Sequence, residues 1–180
     1  MAITYKKTIF TTARHPGRVP PRMYLRIETP APKTLIGMSM PMSFANIQTP
    51  ALWRSFMPRL GEVKNRVGAN RYSAEVYPPG YYNNFNPANT FDKWAAVEVS
   101  AVSDIPAGMQ TLPFEGQYAV FLHTGPASLG AKTYNYIFLN WLPASGYMLD
   151  DRPHFAVMGD KYKGEDAASE EEIWIPVRAK

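Results

Sequence analysis

The chain has 180 residues, of which 46% are hydrophobic, 13% aromatic and only 19% charged, and none is cysteine. A chain of this length buries roughly 70% of its unfolded surface in one core, so disorder is excluded by composition, and thiolate catalysis, cysteine-ligated metal centres and a disulfide framework are excluded by the missing cysteine. The net charge is +4, with much of the excess early, at Lys6, Lys7, Arg14, Arg18, Arg22 and Arg26.

Residues 1–21 read as a basic, partly flexible N-terminal arm. They hold no apolar stretch of signal-peptide length, and nowhere do about 18 apolar residues run together. Neither export by that route nor a membrane span is expected, and a cysteine-free chain fits the cytoplasm. Met23 to Thr29 then alternates apolar and polar positions as a half-buried strand, which Thr34 to Met40 continues past a proline-rich bend. Thr49-Pro50 starts a helix whose apolar positions Trp53, Phe56, Met57, Leu60, Val63 and Val67 recur at three-to-four spacing until Gly68 stops it. Tyr72, Ala74 and Val76 mark a strand, PPGYYNNFNPANT a loop, and Phe91 to Val99 another strand. The loop rings Tyr81, Tyr82 and Phe85 read equally as a lid, a dimer contact or a plain surface loop with a few buried rings.

Met109 to Phe114 and Gln117 to His123 are two strands joined at Glu115-Gly116, and Leu129 to Leu142 is a second helix. That helix is apolar on two sides, with Leu129, Tyr136, Ile137 and Asn140 on one stripe and Tyr134, Phe138, Trp141 and Leu142 on the other. The aromatic stripe fits either the core or a pocket wall. His154 to Met158 is a short strand, GDKYKGEDAASE an acidic loop, and Glu171 to Val177 the last strand. Strand, helix, strand, strand thus occurs twice. The fold class is α+β, two duplicated modules forming an antiparallel sheet with helices on one side and a central ligand cleft. The domain covers residues 22–178, its modules about 22–100 and 108–178.

Nucleotide-loop, zincin and serine-elbow motifs are absent, and His15, His123 and His154 lack metal-ligand spacing. No cofactor or metal is expected, and His123 reads as a hydrogen-bonded strand-end histidine. The informative carboxylates lie within apolar strands. Trp94, Ala96 and Glu98 share one strand face, and Glu172 and Trp174 share another. If the modules are related by a pseudo-two-fold axis, these faces meet in an acidic centre walled by aromatics, which suits a cation. The alternative is that each glutamate points to solvent.

The segments FDKWAAVEV, IPAGM, GQYAVFLHTG, NWLPASGYMLDDRPHF, GDKYK and EEEIWIPV, preceded by MSFANIQTPALWRSFMPR and RYSAEVY, resemble the GyrI-like effector-binding domain, also found in AraC-type transcription activators. The resemblance spans about residues 22 to 178. It implies a pocket for small, aromatic and often cationic molecules, with the acidic ligand residue of the last strand on Glu172 and aromatic walls on Tyr77, Trp94, Tyr134, Trp141 and Phe155; Glu98 is the further acidic candidate. Some relatives are similar to hydrolases of cyclopropane-bearing genotoxic natural products. Where many relatives read Arg-Pro-His-Phe-Glu, this chain has Ala156 at the last position, so no carboxylate acts as acid or base from there. A native alanine and an introduced one read alike.

Three functions follow from this reading. The first is binding of aromatic, preferentially cationic small molecules, as a sensor or a sequestering protein. The second is hydrolysis of strained electrophiles, against which Ala156 counts. The third is regulation through a separate partner; direct sequence-specific DNA binding is not expected, since the first 22 residues are too few for a helix-turn-helix and contain Pro16, Pro20 and Pro21. The sequence does not set the oligomeric state.

Overall fold

A computed structural model describes residues 23–180; the arm read at residues 1–21 lies outside the described residues. The first half holds β1 (Tyr24–Glu28), β2 (Lys33–Ser43), α1 (Thr49–Phe56) with a 3₁₀ extension (Met57–Glu62), β3 (Arg66–Val76) and β4 (Thr90–Val99). The second holds β5 (Gln110–Phe114), β6 (Tyr118–Thr124), α2 (Gly130–Tyr136), which continues through a π-helical turn (Ile137–Trp141) into α3 (Leu142–Ala144), then β7 (Tyr147–Leu149), β8 (His154–Met158) and β9 (Glu170–Ala179). The strands form one antiparallel sheet in the order β1-β6-β9-β8-β3-β4-β2-β5, with β7 attached to β9. About the central β3–β8 pair, β3-β4-β2 repeats β8-β9-β6. Each half's opening strand crosses to the other half: β1 pairs with β6, and β5 with β2.

The register decides which residues face the helices. Ile173, Ala156, Ser73 and Ala95 lie in one row across β9, β8, β3 and β4. Ile173 packs with Ile137 and Leu142 of the second helical segment, and Ala95 with Leu52 and Phe56 of α1, so both helices cover the same face. The adjacent row, Trp174, Phe155, Ala74 and Trp94, points the opposite way. On that face Phe114, from edge strand β5, stacks on Phe155 at 4.3 Å between centroids and meets Tyr118 and Trp174 edge-on at 5.0 and 5.3 Å. An edge ring reaches rings on β6, β8 and β9 because the sheet curls over, with its helix-free face inside. Phe114, Tyr118 and Phe155 are at most 2% exposed, and each such burial contributes about 1.5–3 kcal/mol. No helix among the described residues is long and apolar enough to cross a membrane.

Three expectations are corrected, and one strand is added. Residues 23–29 and 34–40 do not form one continued strand: they are β1 and β2, near opposite edges of the sheet, because Pro30 and Pro32 between them donate no ladder hydrogen bonds. Regular helix ends at Phe56, where Pro58 removes an i→i−4 bond and tightens the next turns to 3₁₀. Gly68 does not stop that helix; it lies inside β3 at φ +64°, where the pairing with β4 slips between Arg66 and Arg71. Strand β7, three residues long, was too short for a pattern. The β5–β6 turn follows expectation. Gly116 adopts φ +85°, and Arg152 braces the turn by donating to the carbonyls of Glu115, Gln117 and Val177 while lying 4.8 Å over the Tyr118 ring.

Candidate functional site: the cleft between the helices

On the helix face, α1 packs on β2 and β4 and α2 on β6, and neither reaches β3 or β8. A cleft is therefore left over the central strand pair. Its floor is set by three rungs: Arg71 with Met158 and Val97, Ser73 with Ala156 and Ala95, and Glu75 with His154 and Lys93. The middle rung carries only small side chains. At the inner rung the Lys93 ammonium donates to Glu75 Oε1, and Glu75 Oε2 is buried with no hydrogen-bond partner. An unpartnered buried acceptor costs about 1–3 kcal/mol, more when charged. Glu171, opposite His123 in the β6–β9 ladder, shares this face. Burial pushes its carboxyl above the usual range, the charge of Glu75 adds to this, and His123 and Lys93 oppose it.

Aromatic rings wall this acidic centre. Tyr77 and Tyr134 have hydroxyls held well above the ordinary tyrosine range by burial, with the charge of Glu75 acting in the same direction. His154 is pushed down to about 3, by burial first and by Lys93 second, so it is neutral at physiological pH. Its ring meets Tyr77 edge-on at 5.0 Å and lies near parallel to Tyr82 and Phe138 at 6.2 Å each. Its Nδ1 is buried without a partner. Two carboxyl groups thus face one ammonium in a poorly hydrated site, and ring faces attract cations there. Cavities open at both ends, about 220 Å³ beside Tyr77, Tyr82 and His154 and about 860 Å³ beyond Arg71.

Residues 23–178 match the family profile of the GyrI-like small molecule binding domain. The chain belongs to this family. The GyrI-like fold recurs in SAV2435 bound to tetraphenylphosphonium, with a TM-score of 0.61 at 16% identity over 86% of this chain and 93% of that one. It also recurs in the EcmrR–DNA complex (TM-score 0.63, 12% identity, 89% of this chain but 59% of that one) and in a hydrolase from Listeria innocua (0.57, 12%, 88% and 93%). No curated protein matches the sequence.

In this GyrI-like chain the residues singled out from sequence separate by face. Tyr77, Tyr134 and Ala156 come together in the cleft. Glu98, Trp94, Phe155 and Glu172 lie on the helix-free face. Of the two glutamate–tryptophan pairs, the tryptophans, Trp94 and Trp174, share one buried cluster. The carboxylates of these pairs, however, are already engaged. Glu98 accepts from the Tyr72 hydroxyl and the Lys33 ammonium, both at 2.8 Å. Glu172 accepts from Arg26 at 2.9 and 3.2 Å and from the Trp174 indole at 3.0 Å. Arg26, counted with the early basic residues, is a strand residue that also pairs with Glu28. Thus Glu172 points away from the cleft and Glu171 into it.

Trp141 leaves the aromatic stripe of its helix because the π turn widens the backbone there, and it stacks on Tyr24 at 5.3 Å and against Phe121 at 5.0 Å. His123 sits where a strand-end histidine was read, 2.8 Å from the Thr133 hydroxyl and 3.1 Å from the Pro126 carbonyl. Of the loop rings, Tyr81 is buried and Tyr82 reaches Phe138. The sequence reading missed Glu75, Lys93 and Glu171. Their signal was phase: Glu171 alternates with Ile173 and Ile175, and Lys93 with Ala95 and Val97, so each is a charge in step with helix-facing residues.

Proposed function

We propose that the cleft binds aromatic, positively charged small molecules, with rings against Tyr77, Tyr82 and Tyr134 and charge at Glu75 and Glu171. The observation that carries this reading is the buried, unpartnered Glu75 oxygen beside a second buried carboxyl. SAV2435 in complex with tetraphenylphosphonium, an aromatic cation, supports it. A protein of this kind serves as a sensor or as a sequestering protein in the cytoplasm, the sensor reading being the one that calls for a separate regulatory partner.

Calorimetric titration with tetraphenylphosphonium and with tetraphenylborate, an anion of the same shape, tests the reading. The cation is expected to bind and the anion not. Glu171→Gln should weaken the cation roughly tenfold, the scale of one charge-assisted contact, and Glu172→Gln should leave it unchanged. Because a cation favours ionised Glu171, binding should release protons and strengthen as pH rises through that group's range. Equal binding of both ions, or weakening by Glu172→Gln alone, refutes the assignment.

A hydrolytic reading has one observation in its favour: Glu171 is a buried carboxyl held toward its neutral form, the state a proton donor needs, two residues from Ile173, which pairs with Ala156. Ala156→Glu, assayed on a cyclopropane-bearing substrate beside the unchanged protein, tests it; no turnover by either eliminates it.

A further inference from the structure

Past the Arg71 rung the cleft floor runs into the larger cavity, about 860 Å³. One side is apolar, formed by Leu60, Val63 and Val97; another carries Arg66, Arg71, Asp160 and Tyr162. The Arg71 guanidinium lies over the Tyr162 ring, 5.8 Å from its centroid. Among the described residues Arg26, Arg59 and Arg152 each have a carboxylate in salt-bridge reach, and Arg66 and Arg71 have none. Two guanidinium groups therefore share this cavity with one carboxylate, Asp160, the reverse of the charge balance in the inner cleft. Tyr162 feels both regions: burial raises its hydroxyl pKa, Glu171 adds to the rise and Arg71 opposes it.

We propose that this outer cavity is an anion subsite, and that the ligands the protein prefers are bipolar: an aromatic body with a cationic group at Glu75 and Glu171 and a carboxylate, sulfonate or phosphate at Arg71 and Arg66. This rests on the inner cleft being the ligand site. Arg71 and Glu75 lie four positions apart on one face of β3, roughly 13 Å. One drug-sized molecule spans that gap. Guanidinium suits the outer end because it presents a planar fork of donors to an oxyanion and stays charged throughout the physiological range. Stacking on Tyr162 fixes the plane of the Arg71 fork before a ligand arrives.

A rhodamine dye as its methyl ester, a net cation, and as its free acid, a zwitterion, differ only at the anionic end. Fluorescence-polarisation titration should show the free acid binding roughly tenfold more tightly than the ester. Arg71→Gln should abolish that preference, so that free acid and ester bind alike. Equal affinity of both forms for the unchanged protein, or a preference that survives both Arg71→Gln and Arg66→Gln, overturns the subsite alone. Absence of saturable binding by either form overturns the inner-cleft reading with it.

Discussion

The two faces of the sheet carry the same kinds of residue and use them oppositely. On the helix-free face, Glu98 and Glu172 stand beside Trp94 and Trp174, and each is neutralised by the chain's own cation, Lys33 or Arg26. Rings from both halves fill the space inside the curl. On the helix face, Glu75 and Glu171 share one ammonium, Ser73, Ala95 and Ala156 leave the floor low, and a carboxylate oxygen remains without a partner. An acid next to an aromatic ring is therefore no sign of a cation site in itself. What separates a site from a core is whether the fold has already supplied the counter-charge and filled the volume.

Substitutions on the two faces should part along the same line. The largest effect is expected from Phe155→Ala, which empties the centre of the closed face and should cost about 3–5 kcal/mol in chemical denaturation; a loss under about 1 kcal/mol would mean that the inside of the curl is loosely packed. Next comes the open face. His154 titrates near 6.5 when unfolded and near 3 when folded, so between these values the unfolded chain binds more protons and stability falls as pH falls. His154→Phe should flatten that fall by a few kcal/mol, on the order of 1.4 per pKa unit at most, when melting is followed from neutral to acid pH. Glu171, raised rather than lowered, acts in the opposite sense, losing stability as pH rises past the usual carboxylate range. A slope unchanged by His154→Phe would place the acid sensitivity elsewhere. Smallest is Glu172→Gln. The Arg26 and Glu172 side chains are 40% and 33% exposed, and solvent screening holds such a pair to about 1 kcal/mol or less. A larger loss of stability would show that the Arg26–Glu172–Trp174 contact closes the curl.

Alternation and capping signals in the sequence located both helices and the order of the main strands, because those signals are local. They could not state which alternate set faces the helices. Strands β4 and β9 are buried on both sides, so Trp94, Ala96 and Glu98 look as core-like as Ala95, Val97 and Val99. The choice depends on where α1 and α2 settle, which is a tertiary fact. A similar limit applies to Trp141, placed in a pocket stripe by regular helical spacing that the π turn breaks. Tyr77, Tyr134 and Ala156 were placed through family likeness, and their meeting over β3 and β8 follows from pairings between residues about eighty apart, such as Ser73 with Ala156.

The crossing of β1 onto β6 and of β5 onto β2 has a meaning beyond stability. Each half lends its first strand to the other and receives the equivalent strand in return, the exchange that joins two subunits in a swapped dimer. The two halves, joined through residues 100–109, are thus arranged like the subunits of a swapped homodimer, and one half expressed alone should pair with a second copy through its vacant edge, which sedimentation would report. Within one chain the two halves need not be identical. Glu75 and Lys93 come from one half, Glu171 and His154 from the other, so the cleft between the halves need not be symmetric and can distinguish one end of a molecule from the other.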